Sequence, residues 1–187
     1  MDEKNVIVKI LVTLIIRIYL VIAVFSAIYY KRWFVLYIAS LAFILTYLPQ
    51  IFERRFKIDI PEELEIITII FVYASLFLGE VHGYYTRFWW WDLVLHIGAA
   101  LALGLIGFII LFVLYNQEKL RGSPGIIALF SFCFALAFSV IWEIFEFSMD
   151  QFFGLNMQKS GLVDTMTDLI VDSAGAFVTS LCGYFYI

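Results

Sequence analysis

Six stretches of the chain, about Val6–Tyr30, Trp33–Phe52, Leu64–Glu80, Trp90–Tyr115, Gly125–Asp150 and Asp164–Ile187, are close to the length of a membrane-crossing helix and overwhelmingly apolar. Roughly 20 such residues are needed to cross a hydrocarbon layer about 30 Å thick, and only a helix or a closed barrel keeps every backbone polar group bonded there. The runs are continuously apolar rather than alternating, which excludes the barrel. With 64% apolar and 15% charged residues, the chain is also far from a soluble domain, where about 25% of residues are charged. The expected fold is all-α: a polytopic helix bundle with six transmembrane helices, forming a single integral-membrane domain over residues 1–187.

The connections Lys31-Arg32, Glu53–Glu63, Gly83–Phe88, Asn116–Pro124 and Gln151–Gly161 carry loop chemistry, including Pro61, Pro124 and several glycines. Trp33, Trp89, Trp90 and Trp91 stand where interfacial aromatic belts form. Lysines and arginines orient such a chain, because cytoplasmic loops hold the excess. One side has Lys4, Lys9, Arg54, Arg55, Lys57, Lys119 and Arg121; the other has Lys31, Arg32, Arg87 and Lys159. Both termini are therefore expected in the cytoplasm, and the protein in the cell (inner or plasma) membrane. The first span is too long for a cleavable signal and is interrupted by Arg17, whose long stem is expected to let its head snorkel to the cytoplasmic surface. Cys133 and Cys182 lie in apolar spans and act as small hydrophobes, not as a disulfide framework. A net charge of −4 with scattered basic residues leaves no nucleic-acid footprint.

An ionisable group at the centre of a span costs at least about 2.5–3.5 kcal/mol, so such groups are kept for a reason. Glu80, Asp92, Glu143, Glu146, Asp150, Asp164, Asp168 and Asp172 are half of the sixteen acidic residues, and His82 and His96 are the only two histidines. Asp164, Asp168 and Asp172 share one stripe of the sixth helix; Glu143, Glu146 and Asp150 share one on the fifth, and Asp92 and His96 one on the fourth. With antiparallel spans, all ten residues fall toward the extracytoplasmic end. At 1.5 Å per residue Asp172 lies roughly 12 Å below Asp164. The cytoplasmic halves, Leu101–Tyr115 and Gly125–Ile141, hold no charged residue.

One or two of these carboxyls could be protonated or serve as hydrogen-bonding glue between helices, and a water-filled vestibule without a specific ion is a further reading. Six facing one another repel, and a bound cation resolves the conflict. The expected metal ligands are Glu143, Glu146, Asp150, Asp164, Asp168 and Asp172, with His96, held by Asp92, as general base or further ligand. His82, beside Gly83, reads as a solvated loop residue. Two histidines cannot build a three-histidine zinc site, and carboxylate-rich coordination suits magnesium, manganese or calcium, with zinc or iron as alternatives. No phosphate-binding Gly-rich loop, nucleophile elbow or His-Glu-x-x-His motif occurs. Gly98, Gly104, Gly107, Gly175 and Gly183, with neighbouring alanines, are expected to pack the fourth and sixth spans closely.

At Trp91-Asp92-x-x-Leu95-His96-x-Gly98, Trp142-Glu143-x-x-Glu146-x-x-x-Asp150 and Asp164-Thr165-x-x-Asp168-x-x-x-Asp172-x-x-Gly175-Ala176, the chain resembles the YjdF-like family of bacterial inner-membrane proteins. The resemblance covers roughly residues 60–187 and implies a multi-pass architecture, without a reaction to carry over.

Three functions fit an outward-opening acidic pocket. A membrane-embedded metal-dependent hydrolase or transferase would polarise a phosphoryl or carbonyl oxygen of a lipid or lipid-linked head group and help activate water. A divalent-cation transporter needs access from both faces and a site near the midplane, which the uncharged cytoplasmic halves do not offer within one chain, although a homo-oligomer could form a path between protomers. A scaffold or sensor would use the ion only to clamp helices. The first is the expected function, with membrane lipids as partners.

Overall fold

The computed structural model describes residues 3–57, 60–118 and 122–187, the side chains of residues 3–6 and 56 excepted. Lys119, Arg121 and the side chain of Lys4, three of the cations that orient the chain, lie outside the described residues. The described residues are predominantly helical and contain no strand: α1 (Glu3–Tyr29), α2 (Trp33–Leu45), α3 (Leu48–Phe56), α4 (Glu62–Val72) running into a π-helical segment (Tyr73–Val81), α5 (Tyr84–Arg87), α6 (Trp91–Asn116), α7 (Pro124–Phe153) and α8 (Leu162–Tyr186). Among them are six helical segments long and apolar enough to cross a membrane: Ile7–Tyr29, Trp33–Arg55, Glu62–Val81, Trp91–Asn116, Pro124–Phe153 and Leu162–Tyr186. Their outward faces are apolar, with Ile15, Phe25, Phe130 and Phe138 exposed, as a lipid-facing surface requires. The helices group into two compact units, residues 1–91 and 92–187.

In the first unit α1 packs on α2 and α4 around Leu20, Ala39, Ala42, Val72 and Phe77. The second span is not one helix. Pro49 has no N–H to give the Leu45 carbonyl, and α2 ends at Leu45 before α3 resumes at Leu48. Arg17 fills the break: its Nη2 donates to the Thr46 carbonyl at 2.8 Å and to Gln50 Oε1 at 3.0 Å, and its Nε donates to Thr46 Oγ1 at 3.0 Å. Its guanidinium carbon also lies 3.7 Å from the centroid of the Tyr47 ring. Arg17 is thus held within the unit rather than snorkelling, because the broken helix supplies acceptors nearer than the surface. Gln50 Nε2 passes the chain of bonds to Glu65 Oε2 at 2.9 Å, and Lys9 Nζ reaches Glu65 Oε1 at 2.9 Å. Glu65, 1% exposed, is therefore a buried charge with both oxygens engaged.

In the second unit each of the three long helices buries one face, and that face changes character along its length. On α7 it runs Ile127, Ser131, Ala135, Ser139, Glu143, Glu146, at helical spacing throughout. On α8 it runs from Ser180 through Ala176 to Asp172 and Asp168, and on α6 from Phe108 and Gly104 through Ala100 to His96. The small residues let the backbones close up. A Cβ at Gly104 would stand 3.0 Å from Thr179 Cβ, and Ser131 Oγ donates to the Gly104 carbonyl at 2.6 Å. Gly98 does not take part: it is exposed, with nothing within 4 Å of a Cβ there, because it faces away from the packed stripe.

Candidate metal centre

All eight ionisable residues expected of the last three spans, Asp92 through Asp172, lie in the second unit, whereas Glu80 and His82 belong to the first. His82 is exposed, its ring 5.2 Å (centroid to centroid) from Phe77.

The turns that bring the carboxylates together are set locally. α7 stops where Gly154 takes φ +65°, and α8 starts after Gly161 at φ +63°, both in the left-handed region where a Cβ is strained. Between them the chain is fastened by Asp150, whose Oδ1 accepts the Met157 N–H at 2.7 Å and whose Oδ2 accepts the Gln158 N–H at 2.8 Å. Gln158 in turn donates its side-chain amide to Thr165 Oγ1. Asp150, expected among the metal ligands, therefore has both oxygens committed to shaping the loop, because the stop at Gly154 folds the backbone amides back over the end of α7. The loop hangs Lys159 above the acidic residues: its Nζ lies 2.7 Å from Asp92 Oδ2, and its N–H donates to Asp164 Oδ2 at 3.1 Å.

Below this rim lies the buried part. His96, Glu143, Asp168 and Asp172 are 8%, 4%, 2% and 2% exposed. His96 Nδ1 is 3.1 Å from Asp172 Oδ2 across the α6–α8 seam, while its Nε2 stands 3.9 Å from Asp92 Oδ1 and 3.8 Å from Asp168 Oδ2, beyond hydrogen-bonding range. The carboxylate that orients the imidazole is thus Asp172 and not Asp92; the neighbouring helix presents an oxygen to the ring edge, and Asp92 turns its other oxygen to Lys159. Both oxygens of Glu143, Oδ2 of Asp168 and Oδ1 of Asp172 are buried and have no donor in good hydrogen-bonding geometry among the described residues, although the Thr165 hydroxyl is close to Glu143. Leaving such atoms unsatisfied costs about 1–3 kcal/mol each, and more if charged. Glu146 is better provided for, its Oε1 accepting the Trp142 indole N–H at 3.0 Å one turn away.

Two sets of donors come close enough to share an ion, with their ligand atoms within 4.8 Å of one another: His96, Glu143 and Asp168, and at the rim Asp92, Asp164 and Asp168. Asp168 is common to both. Glu146, Asp150 and Asp172 are in neither set. Three residues did not stand out from the sequence as parts of the site: Lys159, which reads as an ordinary loop cation, and Gln158 and Thr165, which are too common in loops and helix starts to signal anything.

The chain is similar to a protein of Thermotoga maritima described as uncharacterized, 28% identical over 141 residues that cover 73% of this chain and 69% of the relative. No solved structure matches it. The family described as "Predicted membrane protein (DUF2238)" matches residues 10–187, nearly the whole chain, and the protein belongs to that family of membrane proteins.

Proposed function

We propose that this protein is a membrane-embedded metal-dependent hydrolase or transferase, acting on a lipid or lipid-linked head group at a divalent cation held by His96, Glu143 and Asp168. The observation that carries the reading is the set of buried, unpartnered carboxylate oxygens on Glu143, Asp168 and Asp172 around one imidazole. A protein interior tolerates such a concentration of bare acceptors poorly unless they take up protons or a cation stands among them, and an imidazole placed among them is itself a metal-ligating group. The 3.8 Å between His96 Nε2 and Asp168 Oδ2 is within the roughly 4.0–4.4 Å that is the upper limit for two atoms each about 2.0–2.2 Å from a shared ion.

The roles of the chain's own groups follow from their contacts. With the Nδ1–H of His96 given to Asp172, Nε2 keeps its lone pair toward Glu143 and Asp168, which is the carboxylate–histidine arrangement that orients metal-ligating imidazoles. Asp92 and Asp164 line the approach, and Lys159 offers an ammonium that can hold a phosphate or carboxylate of an incoming head group. Bound there, a divalent cation supplies Lewis-acid polarisation of a phosphoryl or carbonyl oxygen. An imidazole among carboxylates favours manganese, iron or zinc over calcium and magnesium. In this reading the protein sits in the cell membrane as YjdF-like proteins do, both termini cytoplasmic on the strength of the loop cations, and the centre faces outward.

Elemental analysis of the full-length protein, purified in detergent without chelator, tests the reading: about one equivalent of a transition metal per chain is expected, removable by chelator. Protein that contains no divalent metal, and takes up none on addition of manganese or zinc, would refute it. Rapid manganese uptake into proteoliposomes would keep the site but make the protein a transporter.

A further inference from the structure

The first unit carries a second polar feature that the metal reading does not use. An open groove of about 450 Å³ runs between α1 and the α2–α3 span, with Lys9, Thr13, Arg17 and Arg54 among its polar wall residues and Leu14 and Ile51 on its apolar side. Three cations thus line one groove. The acids that neutralise Lys9, Glu62 at 4.0 Å and Glu65 at 2.9 Å, approach it from α4 and are not part of the lining. Arg54 is exposed in the last turn of α3. Thr13 is 8% exposed, and its buried Oγ1 has no hydrogen-bond partner among the described residues. A buried hydroxyl at a groove beside three basic side chains is an unused donor. Of the three, Lys9 is matched by Glu65 and Glu62, while Arg17 and Arg54 have no acidic partner in the lining.

Position along the helices narrows the ligand. Lys9 lies at the start of the first span and Arg54 at the end of the second, so both stand at head-group depth on the same membrane surface. Arg17 is roughly 12 Å deeper along α1, level with the apolar stretch of the wall. A groove with Lys9 and Arg54 at head-group depth and Leu14 and Ile51 on its deeper wall, beside an Arg17 already held by Thr46 and Gln50, matches an amphiphile with one anionic group and a hydrocarbon tail; basic pockets between transmembrane helices bind anionic lipid head groups. We propose that this groove is a seat for the phosphate of an anionic glycerophospholipid, with the phosphate between Lys9 and Arg54, Thr13 donating to it, and an acyl chain along Leu14 and Ile51.

The test uses full-length protein in delipidated detergent micelles and follows its unfolding midpoint during titration with dioleoyl phosphatidylglycerol, dioleoyl phosphatidylcholine or inorganic phosphate. Phosphatidylglycerol is expected to raise the midpoint saturably and phosphatidylcholine to raise it much less. Arg54→Gln, at an exposed position, should keep the lipid-free midpoint and weaken the apparent Kd about fivefold, the effect of one basic residue at an anionic membrane surface. Thr13→Val, nearly isosteric, should weaken it in the same direction without touching a charge. Equal responses to the two lipids, or variants that respond like the parent protein, would overturn the proposal. An equal shift with inorganic phosphate would keep the anion site but overturn the lipid as its source.

Discussion

Both units bury charge, and they do so in opposite ways. In the first, the main ionic groups meet complements within the unit: Glu65 is matched by Lys9 and Gln50, and the half-buried Arg17 by Thr46, Gln50 and the face of Tyr47. Glu62, whose Oε2 accepts no hydrogen bond among the described residues, has Lys9 at 4.0 Å. In the second, Glu143, Asp168 and Asp172 share one histidine, and four of their oxygens have no donor in good hydrogen-bonding geometry among the described residues. Removing charges from water is repaid only where geometry and additional hydrogen bonds are good. The first unit meets that condition from within, so its polar network reads as architecture. The second does not meet it from within, and on the proposed reading a cation supplied from outside does so. The distinction lies in pairing and not in burial, since Glu65 is as deeply enclosed as Asp168.

The sharpest way to break this contrast is at Asp168, the ligand common to both donor sets. Asp168→Asn should abolish stoichiometric metal binding, measured by mass spectrometry of the purified protein, while leaving it as stable as the metal-free parent; full retention of metal would erase the difference between the units. Glu65→Ala should do the reverse, lowering unfolding stability by up to about 3 kcal/mol because it leaves Gln50 Nε2 without its acceptor and Lys9 with only Glu62 at 4.0 Å, with metal content unchanged. Asp172→Asn tests the orienting bond to His96. It should weaken metal affinity about 10–100-fold, as loss of such partners does, measured by competition with a chelating dye. The smallest effect is expected at Lys159, an exposed side chain paired with Asp92. Lys159→Ala should change stability by less than about 1 kcal/mol and leave metal content intact, while slowing any turnover of anionic head groups.

Much of this was legible in the chain itself, for a physical reason. In a membrane span the background is so uniformly apolar that each ionisable residue is a signal, and the spacing of Glu143 and Glu146, of Asp168 and Asp172, and of His96 put them on the faces that the helices do bury. What spacing could not supply was the partner. Asp150 and Glu143 look alike as members of one stripe, yet one caps a loop and the other has no donor in good geometry among the described residues, because two glycines outside the periodic segment decide where the loop folds. The choice of Asp172 over Asp92 beside His96 likewise depends on the approach of two helices that no local pattern encodes. The break at Thr46-Tyr47 was signalled by Pro49 within the second span, but its filling by Arg17, 29 residues earlier, was not. Nor did the nine-residue π-helical end of the third span have a warning in the sequence beyond Gly79, where any side chain would meet the ring of Tyr85.

The seam at Gly175 gives the centre a mechanical setting. A Cβ there would come within 3.0 Å of Ala100 Cβ and 3.2 Å of the Ile97 carbonyl, so a side chain would press α8 and α6 a few tenths of an ångström apart one turn below Asp172. The width of that gap fixes how near the imidazole edge can come to its carboxylate, and with it the span that any ion must bridge. On the proposed metal reading, calibration of the site thus resides partly in a residue that has no chemistry of its own, and adding a single methyl group there is expected to detune it from a distance, like a shim slipped into a hinge.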